Sequence, residues 1–489
     1  MNAGRTRLRR RTAGAIAALA LLALSACDTV PATGREAFVP LSLSEEGALG
    51  QKEHPKILAA YGGAYEDPEL QRYVDSLGQL LAQTSELPDQ TWTFTVLNSD
   101  TVNAFALPGG YIYVTRGLIA LAEDEAELAG VIGHEIGHVT ARHAAQRYGQ
   151  SLLTGIGAVA AGILLGGQAA NIASGIGQMH VASYSREQEN EADSLGIRYM
   201  ARAGHDPAAM SSFLRKLEAQ KQLLARILNQ SGSGETSYLS THPPTMERVQ
   251  KTAAEGTATP VVDAMRARDV FLDRIDGMIY GDDPSQGLVK GRVFAHPTLG
   301  FRFQVPPGFS IVNGAQRVTA IGPRNARILF DQEPNPPSGG MAPYVARLFQ
   351  GRVPSGNIET IDINGMEAAT GHARATTDAG PMDVRAVAVR WAPGTIYRFL
   401  FITPPSLTPS LATELQRTTY SFRRLQHDEA ERLRPYRIRI ETVRSGDTID
   451  SLAALLPFDD YRLERFLVLN GLERAERLEP GKRIKMIVE

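Results

Sequence analysis

Leu128-Ala129-Gly130-Val131-Ile132-Gly133-His134-Glu135-Ile136-Gly137-His138 is an apolar, helix-patterned run that ends in two histidines and a glutamate. On a helix a step of four residues returns to the same face, so His134 and His138 can reach one ion while Glu135 stands beside them. That is the equipment of a zinc hydrolase: the ion acidifies water and polarises a carbonyl, and a carboxylate takes the proton. With this chain's His and Glu usage the spacing arises by chance in about one such chain in a hundred, which leaves a surface helix with two solvated histidines as the plain alternative. A catalytic zinc also needs a third protein ligand. Two further positions on the same helix that could supply a Gly and a His hold Ala141 and Ala144 instead. His143 lies nine residues after His134, and at about 100° per residue it falls on the opposite side of a continuing helix, where solvation is expected.

The third ligand must therefore come from elsewhere. In Ser185-Arg186-Glu187-Gln188-Glu189-Asn190-Glu191-Ala192-Asp193, the residues Glu189 and Asp193 are four apart and share one face of an expected helix. Glu189 can bind a metal there, and Asp193 can accept a hydrogen bond from a ligand histidine and so fix its tautomer. Glu187 and Glu191 point elsewhere and are expected to be solvated. An ordinary acidic helix face reads equally well from these residues alone.

Four stretches taken together are similar to peptidase family M48. They are Asn103-Ala104-Phe105-Ala106-Leu107-Pro108-Gly109-Gly110, His134 to His138, Ser185-Arg186 through Glu189 and Asp193, and Thr241-His242-Pro243-Pro244 with Arg248. More narrowly they resemble the BepA-like periplasmic zinc metallopeptidases, relatives of HtpX and the CAAX prenyl endopeptidases. The resemblance covers about residues 41–255 and keeps order and spacing. It implies a mainly helical gluzincin-type domain with one Zn2+ per chain, His134, His138 and Glu189 as ligands, Glu135 as general base and Asp193 as the partner of a ligand histidine. It also implies that Tyr111-Ile112-Tyr113-Val114 is an edge strand that a substrate peptide joins, with Gly110, Tyr111, Ile112 and Tyr113 as the binding residues. By the same resemblance His242 takes a fourth zinc position and blocks it until its loop moves; otherwise it is a solvated loop residue. Arg248 matches a position near the site and could stabilise an oxyanion, beside its reading as a solvated helix arginine. His54, His180, His205, His296, His372 and His427 have no partner pattern and are read as structural.

The chain around this domain has 489 residues, 43% hydrophobic and 21% charged, the usage of a multidomain globular protein. Its 51 Lys+Arg against 53 Asp+Glu give a net charge of −2, which argues against a nucleic-acid partner. Residues 1–26 read as an export signal, with five arginines before the apolar stretch from Ala13 to Leu24, and Leu24-Ser25-Ala26-Cys27 resembles a bacterial lipoprotein box. The single cysteine, Cys27, is then the expected lipidation site, and the protein is expected on a membrane of the bacterial envelope, facing the periplasm. A tether over 27–40, the peptidase domain over 41–258 and a helical linker over 259–291 should follow. Within 41–258, Asp206-Pro207 is expected to cap a helix running through Lys221. Alternating residues such as Phe301-Arg302-Phe303-Gln304-Val305 and an Asn364-Gly365 turn announce a β-rich domain over 292–425. Residues 151–178 are apolar and glycine-rich and read as a loop or a hairpin skimming the membrane. After a linker over 426–439, residues 440–489 resemble a LysM module of βααβ order, through Val443-Arg444-Ser445-Gly446-Asp447-Thr448-Ile449, Asn470-Gly471-Leu472 and Leu478-Glu479-Pro480-Gly481. The resemblance implies binding to peptidoglycan, although Pro457-Phe458-Asp459-Asp460 departs from the pattern. The whole is expected to be a multidomain α+β protein: a zinc metalloendopeptidase that hydrolyses misfolded or stalled envelope proteins. The alternative is an assembly factor or chaperone with a mostly latent site.

Overall fold

The computed structural model describes residues 27–150, 184–228, 242–243, 245–334, 338–349, 358–377 and 380–489. The expected export signal and the glycine-rich stretch over 151–178 lie outside the described residues. The chain divides into two compact units, the first ending at Ile275 and the second holding Asp276–Glu489 together with the short stretches Ala59–Gly62 and Lys221–Ser233.

The first unit opens with a hairpin of β1 (Cys27–Thr29) and β2 (Glu36–Phe38), so the expected tether has structure of its own. Two helices follow, α1 (Leu43–Ala60) and α2 (Pro68–Gln83). The start of α2 is set by Asp67, whose carboxylate accepts from the amides of Glu69 and Leu70, with proline at the first helical position. Its buried stripe of Leu70, Val74, Leu77 and Leu81 follows the helical period.

The sheet of this unit is β3 (Thr93–Leu97), β4 (Ala104–Leu107) and β5 (Tyr111–Thr115), in the order β3-β5-β4. This corrects the reading of Tyr111–Val114 as an edge. β5 pairs in parallel with β3 on one side and antiparallel with β4 on the other, so both rows of its backbone groups are used. Residues 112–115 are buried, as a central strand requires. The edge strands of this sheet are β3 and β4.

Beyond β5 the apolar stretch is broken into pieces. Helix α3 (Arg116–Leu121) stops before Asp124, which caps α4 (Glu125–Thr140) by accepting from the amide of Glu127. Every residue of α4 from Ala126 to Thr140 is buried. The helix ends at Ala141, and Arg142 takes a left-handed conformation at φ 56° before a second helical stretch over 143–150. Helix α5 (Arg186–Arg202) starts with a reciprocal capping box between Ser185 and Gln188. It lies very close to α4. A Cβ on Gly137 would stand 3.0 Å from the Ala192 carbonyl oxygen, and one on Gly196 would stand 2.9 Å from the His134 nitrogen. Helices α6 (Ala208–Ile227), α7 (Met246–Ala258) and α8 (Arg268–Ile275) follow, and α6 runs past Lys221, where its end was expected. The carboxylate of Asp206 accepts from the Ala208 amide at the start of α6, as the Asp-Pro signal implies.

The stretch over 259–291 is not a helical linker. Its α8 buries Phe271, Leu272 and Ile275 in the first unit. Its remainder supplies β6 (Ile279–Tyr280) and β7 (Leu288–Lys290) to the second.

The second unit is built on a seven-stranded antiparallel sheet, running from Ser310–Asn313 at one edge to Ile358–Ile363 at the other. The Asn364-Gly365 turn joins its last two strands with φ of 53° and 82°, the two positive values that such a hairpin needs. One face of the sheet carries Val387, Val389, Tyr397, Phe399 and Phe401 against Phe294, Phe301 and Phe303 of a smaller four-stranded sheet. The other face packs Ala369, Ala386, Ala388 and Ile396 against the helix Met341–Leu348. The last strands and helices run Tyr436–Thr442, Ile449–Ala453, Arg462–Leu469 and Arg483–Val488. The two strands pair antiparallel, and β6 adds to the outer side of the first, so this element shares a sheet with residues 279–280.

His296 gives the second unit a pH dependence. Burial pushes its imidazole down to about 4, and its Nδ1 accepts from the Leu299 amide, which demands a neutral ring. The unfolded chain takes up this proton near pH 6.5, so stability from this group is complete above that value and declines as pH falls toward 4. The full shift is worth about 3 kcal/mol. His296→Asn keeps an acceptor in the place of Nδ1 and does not titrate. Thermal unfolding at pH 7.5 and pH 5 should therefore show a smaller loss in the variant, and equal losses would remove the assignment.

Candidate metal centre

The close approach of α4 and α5 sets two histidines of one helix against two carboxylates of the other. His134 Nε2 lies 3.0 Å from His138 Nε2, and Glu189 Oε1 lies 3.4 Å from His138 Nε2. Glu189 Oε2 is 3.7 Å from His134 Nε2. His242 joins them, its Nδ1 2.8 Å from Glu189 Oε1 and 3.3 Å from His134 Nε2. All four side chains are buried, and one ligand atom from each falls within 4.8 Å of the others. Donors on a tetrahedron around zinc at about 2.0–2.1 Å stand roughly 3.3 Å apart, so this donor set fits that ion.

Around these donors the charges are matched by few partners. Asp193 Oδ1 lies 2.9 Å from His134 Nδ1, on the far side of the ring from the cluster. Arg248, on α7, meets Asp193 with two bonds of 2.8 Å and Glu189 Oε2 at 2.7 Å. Its Nη1 also donates to the Pro243 carbonyl at 3.1 Å, beside His242. Thr245 starts α7 by accepting from the Arg248 amide. Burial pushes the Asp193 carboxyl up, but the Arg248 guanidinium outweighs it and holds the group below its ordinary value. Burial likewise opposes ionisation of Glu189, yet the charge of His242 and bonds from His138 and His242 keep it well below the usual carboxylate range. Burial pushes His138 well down, toward the neutral form that ligates.

Glu135 is different. Both its oxygens are buried without a hydrogen-bond partner among the described residues, and His242 Nε2 approaches one only to 3.8 Å. Burial pushes its carboxyl up. Three acidic side chains, Glu135, Glu189 and Asp193, are buried together here, and a bound dication would offset their charge. The residues present therefore fit a metal ion.

Residues 68–255 match the model of peptidase family M48. The segment is an M48 peptidase domain. The chain around it is 32% identical over 209 residues to the beta-barrel assembly-enhancing protease of Escherichia coli K12, covering 41% of this chain and 43% of that protein. It is 31% identical over 276 residues to a putative beta-barrel assembly-enhancing protease of Vibrio cholerae, covering 53% and 54%. With the mitochondrial metalloendopeptidase OMA1 of Schizosaccharomyces pombe it shares 28% over 230 residues, covering 46% and 65%. The chain spans about half the length of these relatives.

Within the M48 domain, the structure brings together His134, Glu135, His138, Glu189, Asp193, His242 and Arg248, all read from the sequence. The substrate-strand residues sit elsewhere than expected. Ala106 and Leu107 of β4 and the following Pro108 line a narrow pocket with His138 and Tyr184, whereas Tyr113 is buried in the central strand and its hydroxyl lies 2.7 Å from His54 Nδ1. Arg248 is held by two carboxylates and a carbonyl, which gives it the work of orienting them.

His143 and Glu191 require the largest correction. The expectation that His143 is solvated assumed that α4 continues past residue 141, and that for Glu191 rested on its lying off the Glu189–Asp193 face of α5. Helix α4 ends there, and the left-handed Arg142 returns His143 to the site, fully buried, with Nδ1 2.8 Å from His138 Nδ1 and Nε2 3.0 Å from Glu191 Oε2. Tyr184, also missed, stacks on the His138 ring at 3.9 Å. The Gly133-x-x-x-Gly137 spacing was the available signal for close helix packing, and no residue between 139 and 144 marks the break in α4.

Proposed function

We propose that this chain is a zinc-dependent endopeptidase of the bacterial cell envelope that cleaves misfolded or stalled envelope proteins. The observation that carries this reading is the buried His134, His138 and Glu189 cluster beside a Glu135 carboxylate with no hydrogen-bond partner among the described residues, in an M48 domain. His134, His138 and Glu189 would hold one zinc ion per chain, and Asp193 would fix the orientation of His134. The ion, when bound, supplies Lewis acidity that activates water and polarises the scissile carbonyl. Glu135 takes the proton of the attacking water and returns it to the leaving amine. An extended substrate would add to the edge strand β4, Ala104–Leu107, through main-chain hydrogen bonds.

The envelope setting draws on the relatives named as beta-barrel assembly-enhancing proteases and on the sequence around Cys27, which is suited to a lipid anchor. The βααβ element over residues 440–489, which resembles LysM, would hold the protein near peptidoglycan. His242 supports a resting state in which the open ligand position is covered. The same geometry favours the second reading, an assembly factor whose peptidase site is mostly latent.

Casein cleavage by the chain beginning at Asp28 tests both. Cleavage should disappear on zinc stripping and return with added zinc. If the uncovered state is populated at about one part in ten, His242→Ala should raise the rate on the order of tenfold. Should neither form cut while both hold zinc, the peptidase reading gives way to the assembly factor.

A further inference from the structure

The two ligand histidines of α4 are supported differently. His134 turns its Nδ1 directly to the Asp193 carboxylate. His138 turns its Nδ1 to another imidazole, His143 Nδ1 at 2.8 Å, and only beyond that ring comes a carboxylate, Glu191 Oε2, 3.0 Å from His143 Nε2.

We propose that His143 and Glu191 form a relay that fixes the tautomer and ring orientation of His138 for zinc binding. The inference rests on the zinc-peptidase reading and concerns positioning residues, since neither side chain reaches the ligand cluster. Two facing Nδ1 atoms at 2.8 Å need one proton between them. If His143 donated it, the proton of a neutral His138 would sit on Nε2, the atom that faces His134 and Glu189, and ligation would be blocked. Zinc binding therefore selects the other arrangement: His138 donates from Nδ1, His143 accepts at Nδ1 and donates from Nε2 to Glu191. One consistent set of neutral tautomers satisfies the whole chain. A carboxylate behind a ligand histidine both orients the ring and raises its basicity, and here an interposed imidazole transmits that effect.

The backbone is shaped for this. Arg142 reverses the chain in a left-handed conformation, and its fully buried guanidinium is held by Glu46 Oε1 at 2.9 and 2.7 Å, with further bonds to Leu41 O and Asp28. Glu191 in turn meets Arg35, which follows β1, at 3.1 Å, but Arg35 is more than half exposed and that outer pair contributes little.

The test compares zinc dissociation constants, by chelator competition, for the wild type, His143→Leu and His143→Asn, with thermal unfolding of each zinc-free form. Leucine fills the space without an acceptor, whereas the asparagine oxygen replaces the acceptor Nδ1 in a smaller side chain. The relay predicts affinity lower by about 10–100-fold in the leucine form, near wild type in the asparagine form, and no comparable order in zinc-free stability. Cobalt substitution should show an altered visible spectrum for the leucine form only. Equal affinities in the two variants, both strong or both weak, or a weaker asparagine form, overturn the relay. A wild type that binds no zinc overturns the peptidase reading beneath it, which separates the two failures.

Discussion

Glu135→Gln is expected to lower peptide cleavage by about 10²–10⁴-fold, the range that a positioned general base contributes, while leaving zinc bound. Retention of the metal follows from where Glu135 sits. It is not among the four side chains whose donor atoms cluster, and among the described residues its two oxygens have no hydrogen-bond partner for the substitution to break. Glutamine has the same shape and cannot take a proton. Because burial already disfavours the Glu135 carboxylate, the neutral amide should leave the zinc-free protein as stable as the wild type or more so. The measurement is kcat/KM on a peptide, with zinc content and thermal unfolding on the same preparations. A variant that keeps its zinc and cuts within tenfold of wild type would take the general base away from Glu135. Loss of zinc and activity together would move it into the ligand set.

What the sequence made legible follows from how local each signal is. His134 and His138 are one helical turn apart, so their common face needs only the period of an α-helix, and the same holds for Glu189 and Asp193. The opposition of the two pairs is a tertiary fact carried by Gly133, Gly137 and Gly196, whose missing side chains let α4 and α5 touch. His143 was illegible because its direction depends on one backbone angle at Arg142, and an arginine is not a residue whose presence announces a left-handed turn. The strand Tyr111–Thr115 was legible as a strand and misplaced within its sheet. The unbroken apolar run Tyr111-Ile112-Tyr113-Val114 lacks the alternation of a half-solvated strand, and that lack fits its central, partly parallel place. In the second unit the alternation at Phe301-Arg302-Phe303-Gln304 was a sound guide: Phe301 and Phe303 are buried and the residues between are partly exposed. The boundary at 292 was not, because the two-residue β6 and three-residue β7 are too short to carry a period.

Arg248→Ala should be the most destabilising of the substitutions considered, costing the zinc-free protein about 3–5 kcal/mol, the range for removing one partner of a buried ion pair. Arg248 is 4% exposed and is the partner that Asp193 meets with two hydrogen bonds; Glu189 loses its 2.7 Å contact as well. Without the guanidinium, carboxylates that it holds ionised face a low-dielectric interior with less compensation. Added zinc should recover part of the loss, since the ion takes over the charge of Glu189 but not the orientation of Asp193. Arg248→Lys keeps the charge and loses the forked geometry, so its cost should fall between the two. Both variants should also free the Pro243 carbonyl and with it the segment that carries His242. An oxyanion donor would behave otherwise. Its removal would cost about 10²–10³ in kcat and leave unfolding where it was. Thermal unfolding in excess chelator, read beside kcat for the zinc-loaded forms, decides between them: a lower melting temperature with weakened zinc binding assigns Arg248 to the support of Asp193 and Glu189, and an unchanged melting temperature with a fallen kcat assigns it to the transition state.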